Sequence, residues 1–410
     1  MGHPPGQLLA MGTERLADGA RLLASLLIGV MLGGCGTLGA GTPGSTQAIP
    51  AEAKIPQEAL LDVAIRVFHP PPEGHEARLA YYNPDVLRAE AHYIPYHLKQ
   101  TLQRTGHWGS IRVIPDTAQA WEIRVEGTLI ESTGEALILT VNVKDATGRV
   151  WLRKRYRARA DRGAYANAVA GLRDPFQDFY NRLANDMLAR KRRLTPDELR
   201  EIRQVALLKY AGDLAPDAFG GYLAPAGNGR WRTVPLPVND APMLARVRRV
   251  REREHRLQDS IDAHYGELYA AMWDPYLAWR AAYLDELQAR RALDLRALTG
   301  KLVGVAALAG AIANELYGGR NRSRGATGLL VMGGLEAYRS GVQMRHDARL
   351  HSELIQELGD AFGTDMTPLV TEVEGHSIRL QGSAEHQYRE WQRRLREIFR
   401  AEAHKAVATE

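Results

Sequence analysis

The sequence predicts an α+β fold: a small mixed domain with an antiparallel sheet flanked by helices, followed by a mainly helical domain. Three observations predict it. In 121–130, Trp121, Ile123, Val125 and Leu129 alternate with Glu122, Arg124, Glu126 and Thr128, the period of two expected for a strand with one buried and one wet face. Ser132-Thr133-Gly134 and Asp145-Ala146-Thr147-Gly148 are turn sequences that separate this run from two more strand-like runs, 136–144 and 150–156, giving an antiparallel meander. From residue 241 onward, apolar residues such as Leu277, Leu284, Leu287 and Leu295 form a helical stripe among charged ones.

The remaining elements follow in order. Leu61 to Phe68 is rich in β-branched residues and stops at Pro70-Pro71-Pro72, which marks a strand. Asn83-Pro84 supplies a cap and a proline for a helix start. Pro95 is expected to interrupt this pattern, so that a second helix carries Leu98 and Leu102 and ends at Gly106. Ile111–Ile114 is a short strand. On the last strand of the meander Arg153, Arg155, Arg157 and Arg159 share one face: a solvated edge protected by charge, or a basic contact strip for lipid headgroups or an acidic partner. Asp174 caps a helix from Pro175 whose residues Phe176, Phe179, Tyr180, Leu183 and Met187 form a core stripe. Thr195-Pro196-Asp197-Glu198 matches a capping box, opening a helix that closes near Gly212.

Residues 58–212 are therefore expected to form the α/β domain, 213–240 a Gly/Pro-rich linker and 241–410 the helical domain. Pro275 is expected to kink or restart the first long helix, and the apolar stripe up to Gly300 suits an antiparallel helical hairpin. Glu372 to Leu380 looks like a two-stranded hairpin. A final amphipathic helix after Ser383 aligns Tyr388, Trp391, Leu395 and Ile398.

The first 34 residues have the three parts of an export signal. Arg15 and Arg21 give positive charge, Leu22 to Leu32 is an apolar run too short to span a bilayer, and Gly33 and Gly34 are small. A second methionine, Met11, offers an alternative translation start. Leu32-Gly33-Gly34-Cys35 resembles the lipobox of bacterial lipoproteins, which implies signal-peptidase recognition of Leu32, Gly33 and Gly34 and lipidation of Cys35, the only cysteine in the chain. An ordinary secretory signal with an incidental cysteine is the competing reading. One thiol excludes a disulfide framework and a cysteine-ligated zinc site. The resemblance implies a diacylglycerol on Cys35, with palmitate-type acyl chains that together give durable attachment. Because residue 36 is Gly rather than Asp, it also implies sorting to the outer membrane, facing the periplasm. Residues 35–57 read as the lipidated cysteine and a flexible tether, Gly, Thr, Pro, Ser and Ala dominating up to Pro50.

The element order over 58–192 resembles two lipoprotein families, the auxiliary lipoproteins of ABC transport systems and the lipoproteins that activate penicillin-binding proteins. It rests on Ile94-Pro95-Tyr96-His97-Leu98-Lys99-Gln100-Thr101-Leu102 leading to Gly106, on the strand containing Trp121, and on the turn from Asp145 to Gly148 with Trp151. No binding residue is carried over from either.

In the second half, Leu302 to Ala313 has no charge, and a second small-residue segment follows a polar break. Gly300, Gly304, Gly310, Gly328 and Gly334 are candidate helix-packing glycines, since small residues let helices approach closely. A glycine-rich hairpin over 300–341 fits tight packing inside a globular domain, a self-association surface that makes a homo-oligomer, or a membrane-inserting hairpin.

Catalytic and metal motifs are not found. His92 and His97, like His346 and His351, are five apart and do not stack on a helix, and there is no His-Glu-x-x-His, Gly-x-Ser-x-Gly or phosphate-binding loop. Asp360 and Asp365 form a pair that nothing in the sequence positions. The chain has 53 Lys plus Arg against 48 Asp plus Glu, a net +5, which is compatible with anionic lipid or cell-wall polymers and is not a nucleic-acid signature. The expectation is a non-catalytic, cofactor-free envelope component that binds a protein partner. The alternatives are an envelope enzyme acting on peptidoglycan or lipid, and a membrane-inserting or oligomerising protein.

Overall fold

Val63, Ala64 and Ile65 are fully buried in strand β1 (Val63–Arg66), an interior strand of a five-stranded mixed sheet ordered β2-β1-β3-β4-β5. This computed structural model describes residues 46–70, 84–115, 121–169, 173–235, 241–317, 353, 356–357, 360–361, 366, 368–373 and 376–408, with side chains up to residue 292 of the long helix. The expected meander is present as β3 (Ile123–Ser132), β4 (Ala136–Asp145) and β5 (Val150–Arg159), all antiparallel. β1 instead runs parallel to both β2 (Ile111–Ile114) and β3, so the sheet is not antiparallel throughout. A strand with neighbours on both sides and cover on both faces reads as a continuous apolar run.

Turn chemistry is local and matches the sequence. Asp145 Oδ1 accepts from the Thr147 hydroxyl and the Arg149 amide, its Oδ2 accepts from Trp151 Nε1 at 2.8 Å, and Gly148 takes φ +87°. Only glycine adopts that backbone without strain.

Pro95 does not interrupt its helix. α1 (Pro84–Thr105) is a single helix containing it. A proline leaves the carbonyl four residues earlier without its helical donor; here that carbonyl belongs to Ala91 and accepts from the Phe68 amide at 2.9 Å. The chain leaving β1 supplies the missing bond, so a long-range contact repairs a local defect.

α2 (Arg162–Val169) precedes α3 (Gln177–Lys191) and α4 (Pro196–Leu214), the last opening with the predicted capping box between Thr195 and Glu198. The stripe Phe176, Phe179, Tyr180, Leu183 and Met187 is fully buried, as its spacing predicts. α3 starts two residues later than expected because Asp174 Oδ1 accepts from the Phe176 amide in a turn before the helix.

Residues 213–235 are ordered rather than an irregular linker. A short helix α5 (Pro216–Phe219) leads to a hairpin of β6 (Leu223–Pro225) and β7 (Trp231–Thr233). The Trp231 amide bonds the Thr147 carbonyl at 2.8 Å, which docks this hairpin on the β4–β5 turn.

α6 (Ala241–Tyr317) is one helix of 77 residues that passes straight through Pro275, not a hairpin. Ala271, which loses its helical partner to Pro275, lies at an exposed position where water can take the freed carbonyl. Gly300, Gly304 and Gly310 lie on the last turns of α6. Gly328 and Gly334, and most of the expected hairpin 300–341, lie outside the described residues. No described helix is long and apolar enough to cross a membrane. β8 (Leu369–Val373) and β9 (His376–Leu380) pair antiparallel, and α7 (Ala384–Ala408) buries Tyr388, Trp391, Leu395 and Ile398.

Residues Thr46–Glu410 form one compact unit, and 58–212 and 241–410 contribute to a common hydrophobic core. α1 and α3 pack side by side on the sheet, and α6 packs across α1. α6 also closes the β2 edge, where Asp262 Oδ1 accepts the Val113 amide at 2.8 Å and Asp259 pairs with Arg112 at 2.6 Å. The opposite edge, β5, carries exposed Arg153, Arg155, Arg157 and Arg159.

Candidate functional site

α1 carries Glu90, Tyr93, His97 and Thr101 at spacings of three and four, so one helix face presents a polar stripe, and all four are buried. α3 brings Gln177 and Asn181 to it, and α6 brings Tyr269, Trp273, Tyr276 and Arg280. The stripe lies where the three helices meet.

The hydrogen bonds along it run in one direction. Thr101 Oγ1 donates to the His97 carbonyl, so it accepts from Gln177 Nε2, which also donates to Asn181 Oδ1. Gln177 Oε1 is therefore the atom facing His97 Nε2 at 2.8 Å, and that nitrogen carries the proton. His97 Nδ1 then accepts from the Tyr269 hydroxyl at 2.7 Å. Burial lowers the His97 pKa, with Asp174 opposing; the ring is neutral, as this tautomer requires.

Two turns before His97 on the same helix, Glu90 forms an ion pair with Arg280, with neither side chain exposed. Glu90 Oε1 accepts from Ser132, Tyr276 and Arg280, and the Arg280 guanidinium lies 4.1 Å from the Tyr276 ring centroid and 4.6 Å from that of Phe176. Six buried polar atoms here have no hydrogen-bond partner among the described residues: Glu90 Oε2, Tyr93 Oη, Asp174 Oδ2, Tyr180 Oη, and Arg280 Nε and Nη1. Native interiors satisfy nearly all such groups, so this concentration sets the region apart from ordinary core.

A cleft of about 610 Å³ opens from the His97 relay to the surface, walled by α1, α3, α6 and residues Gln47 and Ala48. Residues 46–50 were expected to belong to a flexible tether, and here they are pinned. The Thr46 carbonyl accepts from Asn181 Nδ2 at 2.8 Å and from Arg173, the Gln47 carbonyl accepts from Asn185, and the Ile49 amide donates back to Asn185 Oδ1 at 2.9 Å. Composition predicts no docking because backbone groups, not apolar side chains, make the contacts. Asn181 thus joins the incoming chain to the His97 relay.

A second, smaller cleft of about 370 Å³ lies between α4 and α6 and is lined by Asp62, Glu122, Arg203, Arg251 and His255. Burial pushes the Glu122 carboxyl up to about 6, with the adjacent Asp62 carboxylate adding to it and the Asp62 amide and Arg251 opposing. Burial, Arg251 and Arg112 pull His255 down to about 3. A raised folded pKa means that Glu122 contributes stability below about pH 4.5, its ordinary value, and loses it as pH rises through about 6. Glu122→Gln keeps an acceptor for the Asp62 amide. It is expected to be more stable than the parent by about 1–2 kcal/mol at pH 7 and no more stable at pH 4. Urea midpoints at the two pH values check this; a variant less stable at pH 7 contradicts it.

The residues singled out in the sequence do not converge here. Cys35 and Leu32-Gly33-Gly34 lie outside the described residues, and Arg153, Arg155, Arg157 and Arg159 lie on the sheet edge and line neither cleft. Asp365 is outside the described residues, and Asp360 lies 3.9 Å from Arg88. Among the described residues, no group of three His, Cys, Asp or Glu side chains is placed to hold a metal ion. Sequence reasoning missed Glu90, Gln177 and Arg280, weighed His97 only as a metal ligand, and read Asp174 only as a helix cap. The signal that could have found them is the α1 stripe, polar where an amphipathic helix should be apolar. No protein-family model matches the chain, and no curated protein matches it.

Proposed function

We propose that the chain is a lipid-anchored, periplasm-facing envelope protein of the outer membrane that acts as a tethered binding component, with the cleft beside His97 as its recognition site. The lipobox-like Leu32-Gly33-Gly34-Cys35 supports the anchor. The observation that carries the reading is the pinning of Thr46 to Ile49 at the cleft wall. Thr46 lies eleven residues after Cys35, a span of at most about 40 Å fully extended. A cleft on so short a leash samples only the layer next to the membrane, which raises its effective concentration toward any ligand or protein partner fixed there.

The test is expression with the native signal in a Gram-negative host. The expected result is a membrane-bound chain beginning at residue 35, with the mass of a diacylglycerol and an amide-linked acyl group, and a Cys35→Ser form that leaves the membrane fraction. An unmodified thiol on a chain that keeps its initiator methionine overturns the reading. A second reading, an envelope enzyme, draws support from Glu122, whose carboxyl titrates near pH 6 beside Asp62 and so suits general acid–base work. Loss of a hydrolytic activity on cell-wall or lipid substrates in Glu122→Gln would favour it.

A further inference from the structure

We propose that the cleft between α1, α3 and α6 binds a small zwitterion, its protonated amine on Asp174 and its acidic group at Arg104. The proposal rests on the reading of this cleft as the recognition site and is independent of lipidation.

Asp174 is only 2% exposed, yet it lines the cleft. Its Oδ1 is used by the Phe176 amide at 2.7 Å, while Oδ2 has no hydrogen-bond partner among the described residues. His97, Gln177 and Arg173, which line the cleft with Asp174, direct their donors elsewhere, and the Tyr180 hydroxyl, unpartnered among the described residues, makes no hydrogen bond to Asp174. His97 Nε2–H serves Gln177, the Gln177 amide serves Thr101 and Asn181, and Arg173 serves Asp178 and the Thr46 carbonyl. Arg280 lies near enough to feel the Asp174 charge and makes no hydrogen bond to it. A buried carboxylate oxygen left bare is costly, and a ligand with N–H donors removes that cost.

The surroundings favour a cation at this point. Tyr269 and Trp273 line the same cleft, and aromatic faces attract ammonium groups. His97, kept neutral by burial, adds no repulsion. At the outer end of the α1 wall, exposed Arg104 forms no ion pair among the described residues. An ammonium inside and an acid at the rim describe a phosphoethanolamine group or an amino acid, which share this chemistry and come from different sources.

Calorimetric titration of the full chain in detergent separates them. O-phosphoethanolamine and alanine are the zwitterionic probes, ethanolamine carries only the amine, and inorganic phosphate only the anion. At least one zwitterion is expected to saturate with a Kd of about 1 mM or tighter, while ethanolamine and inorganic phosphate bind more weakly by about tenfold. Saturation by O-phosphoethanolamine alone identifies a headgroup-type ligand, and by alanine alone an amino-acid type. Asp174→Asn keeps Oδ1 for the Phe176 amide and replaces the free acceptor by a donor, so affinity is expected to fall by about tenfold or more without a change in Tm. If that variant does not fold, Arg104→Gln on the exposed rim serves instead, with an expected loss of about threefold. No binding of either zwitterion overturns the proposal. Phosphate binding that Arg104→Gln abolishes would keep the cleft as a site and overturn the amine assignment. Zwitterion binding indifferent to both variants would overturn the cleft as the site altogether.

Discussion

Arg280→Met is expected to lower the stability of the chain by about 3–5 kcal/mol, because it strands the carboxylate of Glu90 in the interior without its counter-ion. Both side chains are fully buried. The methionine would keep much of the packing against Phe176 and Tyr276, so the loss reports the abandoned charge rather than missing volume. Ser132 and Tyr276 would still donate to Glu90 Oε1, and two neutral donors do not replace a guanidinium. The double variant Glu90→Gln/Arg280→Met removes both charges and is expected to recover at least half of the loss. Urea denaturation of the parent, both single variants and the double variant closes the cycle. If the double variant is no more stable than Arg280→Met alone, Glu90 and Arg280 are not coupled.

Gly134→Ala is expected to cost about 3 kcal/mol, the upper end of the penalty for overpacking. Gly134 sits at the tip of the β3–β4 hairpin, where α6 crosses it. A Cβ there would lie 2.5 Å from the Leu284 amide nitrogen and 3.0 Å from its Cα, and would overlap the Arg280 carbonyl oxygen. These are backbone atoms of a helix, so no side-chain rotation relieves the clash. The Gly134 carbonyl also accepts from the Tyr165 hydroxyl at 2.7 Å, which holds the tip from the other side. Either the hairpin or α6 must move, and moving α6 drags Arg280 away from Glu90. Hydrogen exchange should therefore rise around residues 276–284 and at the hairpin tip, with β5 protected as before. A variant with the parent's urea midpoint and exchange pattern would show that the hairpin tip and α6 do not pack this closely.

Much of the fold was legible because it depends on residues close in the chain. The alternation from Trp121 to Leu129, the Asp145-to-Gly148 turn, the Thr195–Glu198 capping box and the stripe of α7 all lie where the pattern places them. The two prolines misled for the same reason. Pro95 and Pro275 break helices by local rules, and at Pro95 the rule is overridden when the Phe68 amide takes the orphaned Ala91 carbonyl. The glycine and proline content of 213–235 signals a change of direction correctly and says nothing of the hairpin that docks on Thr147.

For the candidate site the division is sharper. The spacing of Glu90, Tyr93, His97 and Thr101 places them on one face of any continuous helix. The interruption expected at Pro95 would have split them between two helices, and only the unbroken α1 joins them. Only the tertiary structure decided that this face would be buried, and with what. Glu90 meets Arg280 across 190 residues and His97 meets Tyr269 across 172. A charged residue looks the same in a sequence whether water or a distant guanidinium neutralises it. Which of the two solvates the charge depends on where the chain folds back, and no local pattern encodes that.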